Sequence, residues 1–290
     1  MKNLFIIIFT IVTVSAFSTD KPAYKIFDKN GKEVSYSQMV ETLQKNNIVF
    51  FGELHNNTIA HWLELQVTKS LFDTYKDKLV LGAEMFEADN QLLLTEYLTG
   101  LVKQKSFEDE MRLWPNYKTD YKPLVEFAKA NKLPFIATNV PRRYAAVVSK
   151  HNLQGLDKLS DEAKRYIAPL PIAYDSTVGC YVQLKMMMAH MPGHRGGNNY
   201  MPQAQAVKDA TMSHFILANY KTGNLFLHFD GSYHSDNYEG IVWWIKKANP
   251  KLKVATISTV TQNDITALDK ENQGVADFII VVPEDMTTTY

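Results

Sequence analysis

Six short apolar runs constrain this chain more than any other feature: residues 48–51, 79–83, 134–138, 225–229, 254–258 and 278–282. Each is continuous rather than alternating, the pattern of a strand covered on both faces. Longer helical patterns lie between them, notably 59–75, with Trp62, Leu63, Leu65, Gln66 and Phe72, and 121–131; a further helix is expected over 238–247. Strand and helix in alternation require right-handed crossovers, so the expected fold is α/β, with a mostly parallel central sheet flanked by helices in a Rossmann-like arrangement. At 290 residues and 46% hydrophobic composition the chain can bury the core of one such domain. Two stretches break the rhythm, 87–114 and 142–217, the second interrupted by Pro169, Pro171, Pro192 and Pro202. Both are too long for plain loops, and they are expected as helical insertions that cap one edge of the sheet.

The N-terminus has the order of a secretory signal: Lys2, an apolar stretch over 4–14, then Val14-Ser15-Ala16 as a small-residue cleavage pattern. The expectation is a signal peptide over 1–16, a single domain over 17–290, and an exported protein, periplasmic or secreted. The apolar stretch is short for a bilayer span. Cys180 is the only cysteine, so no lipid-bearing cysteine stands near the cleavage pattern and no internal disulfide can form. Basic and acidic residues balance at 31 each, which argues against a nucleic-acid partner.

Ligands of open α/β sheets gather beyond the carboxyl ends of the strands. Two of those ends carry the same turn: Gly52-Glu53-Leu54-His55 after the first run, and Gly231-Ser232-Tyr233-His234 after Leu225–Phe229. A third run delivers Glu84 and a fourth Asn139 and Arg142, while His228 and Asp230 precede the second turn. One sheet edge is therefore expected to present Glu53, His55, Glu84, Asn139, Arg142, His228, Asp230 and His234. Carboxylates with imidazoles suit a divalent metal or general acid–base chemistry, with His55, Glu84 and His234 as the metal set. The structural alternatives are helix caps at Glu53 and Asp230, core hydrogen bonds at the histidines, and an ion pair of Glu84 with Arg142 or Arg143. The chain has no His-Glu-x-x-His, Gly-x-Ser-x-Gly, P-loop or Gly-x-Gly-x-x-Gly motif.

Phe50-Phe51-Gly52-Glu53-Leu54-His55, Gly82-Ala83-Glu84-Met85-Phe86, Asn139-Val140-Pro141-Arg142, Gln205 to Met212 and His228 to His234 together resemble the ChaN family of haem-binding, iron-regulated proteins. The motifs run in order from about residue 48 to 260. That resemblance places the chain near the wider Tiki superfamily, which includes metal-dependent hydrolases and erythromycin-esterase-like enzymes. It implies haem binding during haem or iron acquisition, haem held between two subunits of a homodimer, and outer-membrane haem-uptake components as partners. For the hydrolases it implies a catalytic or metal-binding role at His55, Glu84 and His234.

Covalent haem attachment is excluded by the absence of Cys-x-x-Cys-His. Axial ligation uses His, Tyr, Met or Cys, and the stretch 174–201 is richest in them. Tyr200, His194, His190 and Tyr174 are the axial candidates, with Arg195 placed to meet a propionate. Met186–Met188 are read as helix packing, since methionine fills core gaps. A haem-binding protein is thus the first expectation, and a metal-dependent esterase or peptidase the alternative.

Overall fold

The computed structural model describes residues 21–190 and 200–290. The expected signal peptide 1–16, His194 and Arg195 lie outside the described residues. Strands β1 (Lys25–Asp28), β2 (Ile48–Glu53), β3 (Leu79–Glu87), β4 (Phe135–Asn139), β5 (Leu225–Gly231), β6 (Val254–Gln262) and β7 (Phe278–Pro283) form one sheet. Its order is β1-β7-β6-β2-β5-β3-β4, and every neighbouring pair is parallel except β1 with β7.

The continuous apolar runs follow from this position in the middle of a sandwich. In β2, Val49 and Phe51 face a core shared with Leu63, Val67 and Leu71 of α2 (Thr58–Tyr75), whereas Ile48 and Phe50 face Met212, Ile216, Ile241 and Ile245 on the other side. Both faces are dry, so neither parity of the strand can be polar. Each such fully buried side chain contributes about 1.5–3 kcal/mol. Helix α2 starts where Asn57 caps it, its side-chain oxygen accepting from the Ala60 N–H at 2.9 Å. Preceding it is α1 (Tyr36–Leu43).

The two insertions are helical, with strand at one border. Residues 87–114 hold α3 (Gln91–Leu98) and α4 (Gln104–Glu110), and α5 (Lys122–Asn131) follows. Strand β3, expected to stop at residue 83, continues to Glu87 because its two carboxylates find partners, Glu84 with His234 and Glu87 with Arg112 and Arg142. The second insertion holds α6 (Arg142–His151), α7 (Asp161–Lys164), α8 (Gly179–His190) and α9 (Met201–Asn219). The helix expected over 238–247 is α10 (Ile241–Ala248), since Asn237, Tyr238 and Gly240 all take positive φ and delay it. Edge strand β1 escaped sequence reading because only Ile26 and Phe27 of its four residues are buried. Among the described residues no helix is long and apolar enough to cross a membrane.

Candidate functional site

Because β2, β5, β3 and β4 are parallel neighbours, their carboxyl ends open on one edge of the sheet. There they border a cavity of about 590 Å³ whose lining includes Glu53, His55, Glu84, Asn139, Arg142 and His234. Six of the eight expected strand-end residues therefore share one site. The two Gly-x-x-His turns pack on each other, which explains both glycines. A Cβ on Gly52 would lie 2.8 Å from the Ile257 carbonyl oxygen and 2.9 Å from Ser232 Cα. A Cβ on Gly231 would lie 2.7 Å from the His55 ring. Each turn occupies the space that a side chain on the other would need.

His234 is buried between two carboxylates. Its Nδ1 pairs with Asp209 of α9 and its Nε2 lies 3.2 Å from Glu84 Oε1. The other Glu84 oxygen accepts the Gly231 N–H at 2.9 Å. Burial opposes charge on this imidazole, but the two carboxylates outweigh it and push its pKa up to about 10. For Glu84 burial again opposes ionisation, and the charge and hydrogen bond of His234 hold the carboxyl well below its usual range. His234 is thus an imidazolium at neutral pH.

His55 is differently placed. It is part-exposed beside the edge of Trp114, and its Nδ1 pairs with Glu53 Oε1 at 2.7 Å. The same oxygen accepts from the Tyr121 hydroxyl at 2.7 Å. A carboxylate on one ring nitrogen orients the imidazole and leaves Nε2, which lies over Gly231, toward the cavity. Burial works against charge here too, but the Glu53 hydrogen bond and the charge of Glu84 raise its pKa.

The remaining two strand-end residues are not at the edge. His228 and Asp230 are fully buried beneath the cavity, because alternate residues of β5 point to the same face. His228 Nδ1 meets Asp230 Oδ1 at 2.9 Å and its Nε2 meets the Thr138 hydroxyl at 2.8 Å. Desolvation drives the His228 pKa down to about 3, so it stands neutral in the core. Arg142 pairs with Glu87 rather than Glu84, and Arg143 with Asp89 at 2.6 Å.

The cap candidates separate from the cavity. Tyr174 packs against Tyr181 with ring centroids 5.5 Å apart, and Tyr200 directly precedes α9, half-buried. His190 ends α8, exposed, with Nδ1 2.8 Å from the Met186 carbonyl oxygen. A carbonyl only accepts, so Nδ1 carries the proton and Nε2 has a lone pair that no other described residue engages. Of the three methionines expected to pack, only Met188 is buried; Met186 and Met187 are 60% and 52% exposed. Together with Gln183 and His190 they form the outward stripe of α8, while Cys180, Tyr181 and Leu184 face inward. Burial pushes the Cys180 thiol up to about 12, which leaves it unreactive.

Sequence reasoning missed Asp209, although Gln205 and Asp209 stand four apart in a motif already singled out and so share one helix face. It also missed His61, Glu64 and Asp120. Among the described residues, three metal-ligating atoms come within 4.8 Å of one another at Glu53, His61 and Glu64. That trio differs from the His55, Glu84 and His234 expected from the sequence.

Fold and cavity define a class: a parallel α/β protein whose two Gly-x-x-His turns interlock beside paired carboxylates. The chain belongs to the haem-binding uptake family ChaN of the Tiki superfamily, whose sequence pattern matches residues 39–245. Among solved structures it is similar to ChaN of Campylobacter jejuni, described as binding heme cofacially, with a TM-score of 0.66 and 16% identity over 89% of this chain and 96% of that one. A Bacillus cereus protein shares the fold at a TM-score of 0.52 and 10% identity, covering 90% of this chain and 95% of that one. In sequence the chain is 25% identical over 187 residues to the chloroplastic Protein RETICULATA-RELATED 5 of Arabidopsis thaliana. The match takes in 61% of this chain and spans only 25% of that relative's length.

Membership in the family supports haem binding, and the residues present fit the group. Porphyrin needs an apolar face, an axial donor and a cation for its propionates. The outward stripe of α8 supplies Met186 and Met187, the Nε2 of His190, and exposed Lys185 alongside.

Proposed function

We propose that this is an exported haem-binding protein serving haem or iron acquisition, and that the outward stripe of α8 receives the haem. The observation that carries the reading is His190, whose Nδ1–H is committed to a backbone carbonyl beside two exposed methionines. A fixed tautomer with its other nitrogen bare is how proteins present imidazole to a metal. Bound haem supplies an iron centre open to axial ligation, and this chain's part is to bind and orient it. The stripe lies on the surface, so it covers only one porphyrin face. A second copy of the chain would cover the other, which is consistent with the cofacial arrangement described for the Campylobacter protein. Delivery to or from outer-membrane uptake components belongs to the same proposal.

The test is haemin titration followed by the Soret band. The full chain should bind with a shifted band, and His190→Ala should weaken binding about tenfold or more and change the ligation spectrum. Native affinity and an unchanged spectrum in that variant would sink the assignment.

One observation favours hydrolysis as a second reading. Glu53 orients His55 as a base, while His234 stands opposite as a fixed cation held by Glu84 and Asp209. An ester or amide in the cavity would meet a proton acceptor at His55 Nε2, held in place by Glu53. His55→Ala should then lower turnover about a hundredfold while leaving the Soret shift intact.

A further inference from the structure

Next to His55 lies a polar cluster of which the readings above use only Glu53. His61 and Glu64 come from the first turns of α2 and project from its buried face. Glu53 reaches them from the end of β2, and Asp120 from the turn before α5. All four are at most 5% exposed. Among the described residues, no lysine or arginine forms an ion pair with Glu53, Glu64 or Asp120.

Counting protons exposes a deficit. His61 Nε2 lies 3.1 Å from the carbonyl oxygen of His55 and 3.4 Å from Asp120 Oδ2, both acceptors, so that nitrogen carries a hydrogen. With only that one proton on the ring, Nδ1 would turn a lone pair toward Glu64 Oε2 at 3.0 Å and Glu53 Oε2 at 3.5 Å. Three acceptors face one another. Glu53 Oε2 and Glu64 Oε1 are buried without any hydrogen-bond partner among the described residues. Unmatched buried carboxylate oxygens are costly unless a cation joins them.

We propose that Glu53, His61 and Glu64 form a second site, for a divalent first-row transition-metal ion, which shares only Glu53 with the cavity lining and is separate from haem. Their three ligand atoms lie within 4.8 Å of one another. Donors about 2.0–2.2 Å from a common ion stand roughly 3–4 Å apart, so small side-chain shifts would close the shell. Two carboxylates with one imidazole suit Mn²⁺, Fe²⁺ or Zn²⁺ better than Ca²⁺ or Mg²⁺, which favour all-oxygen shells. The surroundings have the form of an outer shell. The His55 carbonyl holds His61 in the tautomer that frees Nδ1, and Tyr121 and His55 fix the far oxygen of Glu53. Access runs past Glu53, which also lines the cavity.

The competing arrangement is a proton in the same place, either on His61 Nδ1 or on Glu64 as a neutral acid donating to Glu53. Titration calorimetry of the chelator-stripped full chain with Zn²⁺ or Mn²⁺ alone separates the two. One ion per chain is expected, with a higher melting temperature and, on Co²⁺ substitution, visible bands of mixed nitrogen and oxygen ligation. Glu64→Gln keeps a neutral donor but removes a ligand, so affinity should fall by more than about a hundredfold, beyond the loss typical of outer-shell partners. His61→Gln serves as the second variant and should behave alike. A native chain that takes up neither ion overturns the proposal. So does an ion that survives both variants and is lost in Glu84→Gln, since it would then sit in the cavity. Neither result touches the haem reading, which is followed separately through the Soret band.

Discussion

At the scale of single residues, His234 makes stability depend on pH with a definite sign. Its pKa rises from 6.5 to about 10 on folding, so its stabilisation is complete below pH 6.5 and is lost as pH climbs toward 10. His228 acts in the opposite direction: held neutral down to about pH 3, it costs stability as pH falls below 6.5, where the unfolded chain takes up a proton. Urea unfolding of the native chain and His234→Gln should therefore show a difference of a few kcal/mol near pH 6.5 that shrinks steadily toward pH 10. A pH-independent difference would mean that His234 is not held as a cation. The residues of the Glu84–His234–Asp209 triad were unevenly legible in sequence. His234 and Glu84 were visible because each follows an apolar run directly. Asp209 was not, since a carboxylate within a helix looks solvated until the helix is docked, and the same holds for His61 and Glu64 on α2.

Elements explain why the turns bear glycine. The Gly52 site is closed by backbone from two other elements, the Ile257 carbonyl of β6 and Ser232 Cα, neither of which can yield without moving the sheet. The Gly231 site is closed by the His55 side chain, which can rotate away. Gly52→Ala should thus destabilise by about 1–3 kcal/mol, as overpacking does, while Gly231→Ala costs less but displaces His55 from the cavity. Equal shifts in urea midpoint for the two variants would contradict this. Strands β2 to β7 were legible because their apolar runs are continuous. The end of β3 was not, since Glu84 stands past the apolar run and Glu87 opens a stretch that reads as helical, until Arg112, Arg142 of α6 and His234 of the β5 turn pair with them. The outward stripe of α8 was misread for a related reason: methionine is equally at home in a core and on a docking face, and only the packed helix shows which side is turned out.

For the whole molecule, the cap surface bears on assembly. If two copies close on haem through α8, haemin should double the apparent mass in light scattering, and His190→Ala should remain monomeric at the same haemin concentration. A native chain that binds haemin as a monomer would refute the dimer. The strand order has a consequence for how such a molecule comes into being. Strand β5 lies between β2 and β3, yet roughly 140 residues of chain are made between β3 and β5. During synthesis the two earlier strands cannot pair with each other in the native order; each has to hold an open edge for the late arrival. The cavity, with Glu53 and Glu84 on one side of that gap in time and His234 on the other, comes into existence only when the latecomer slides in. Site assembly and the joining of β2 to β3 are then one event, and a chain caught before it exposes both edges of β2 and one edge of β3 to any neighbour.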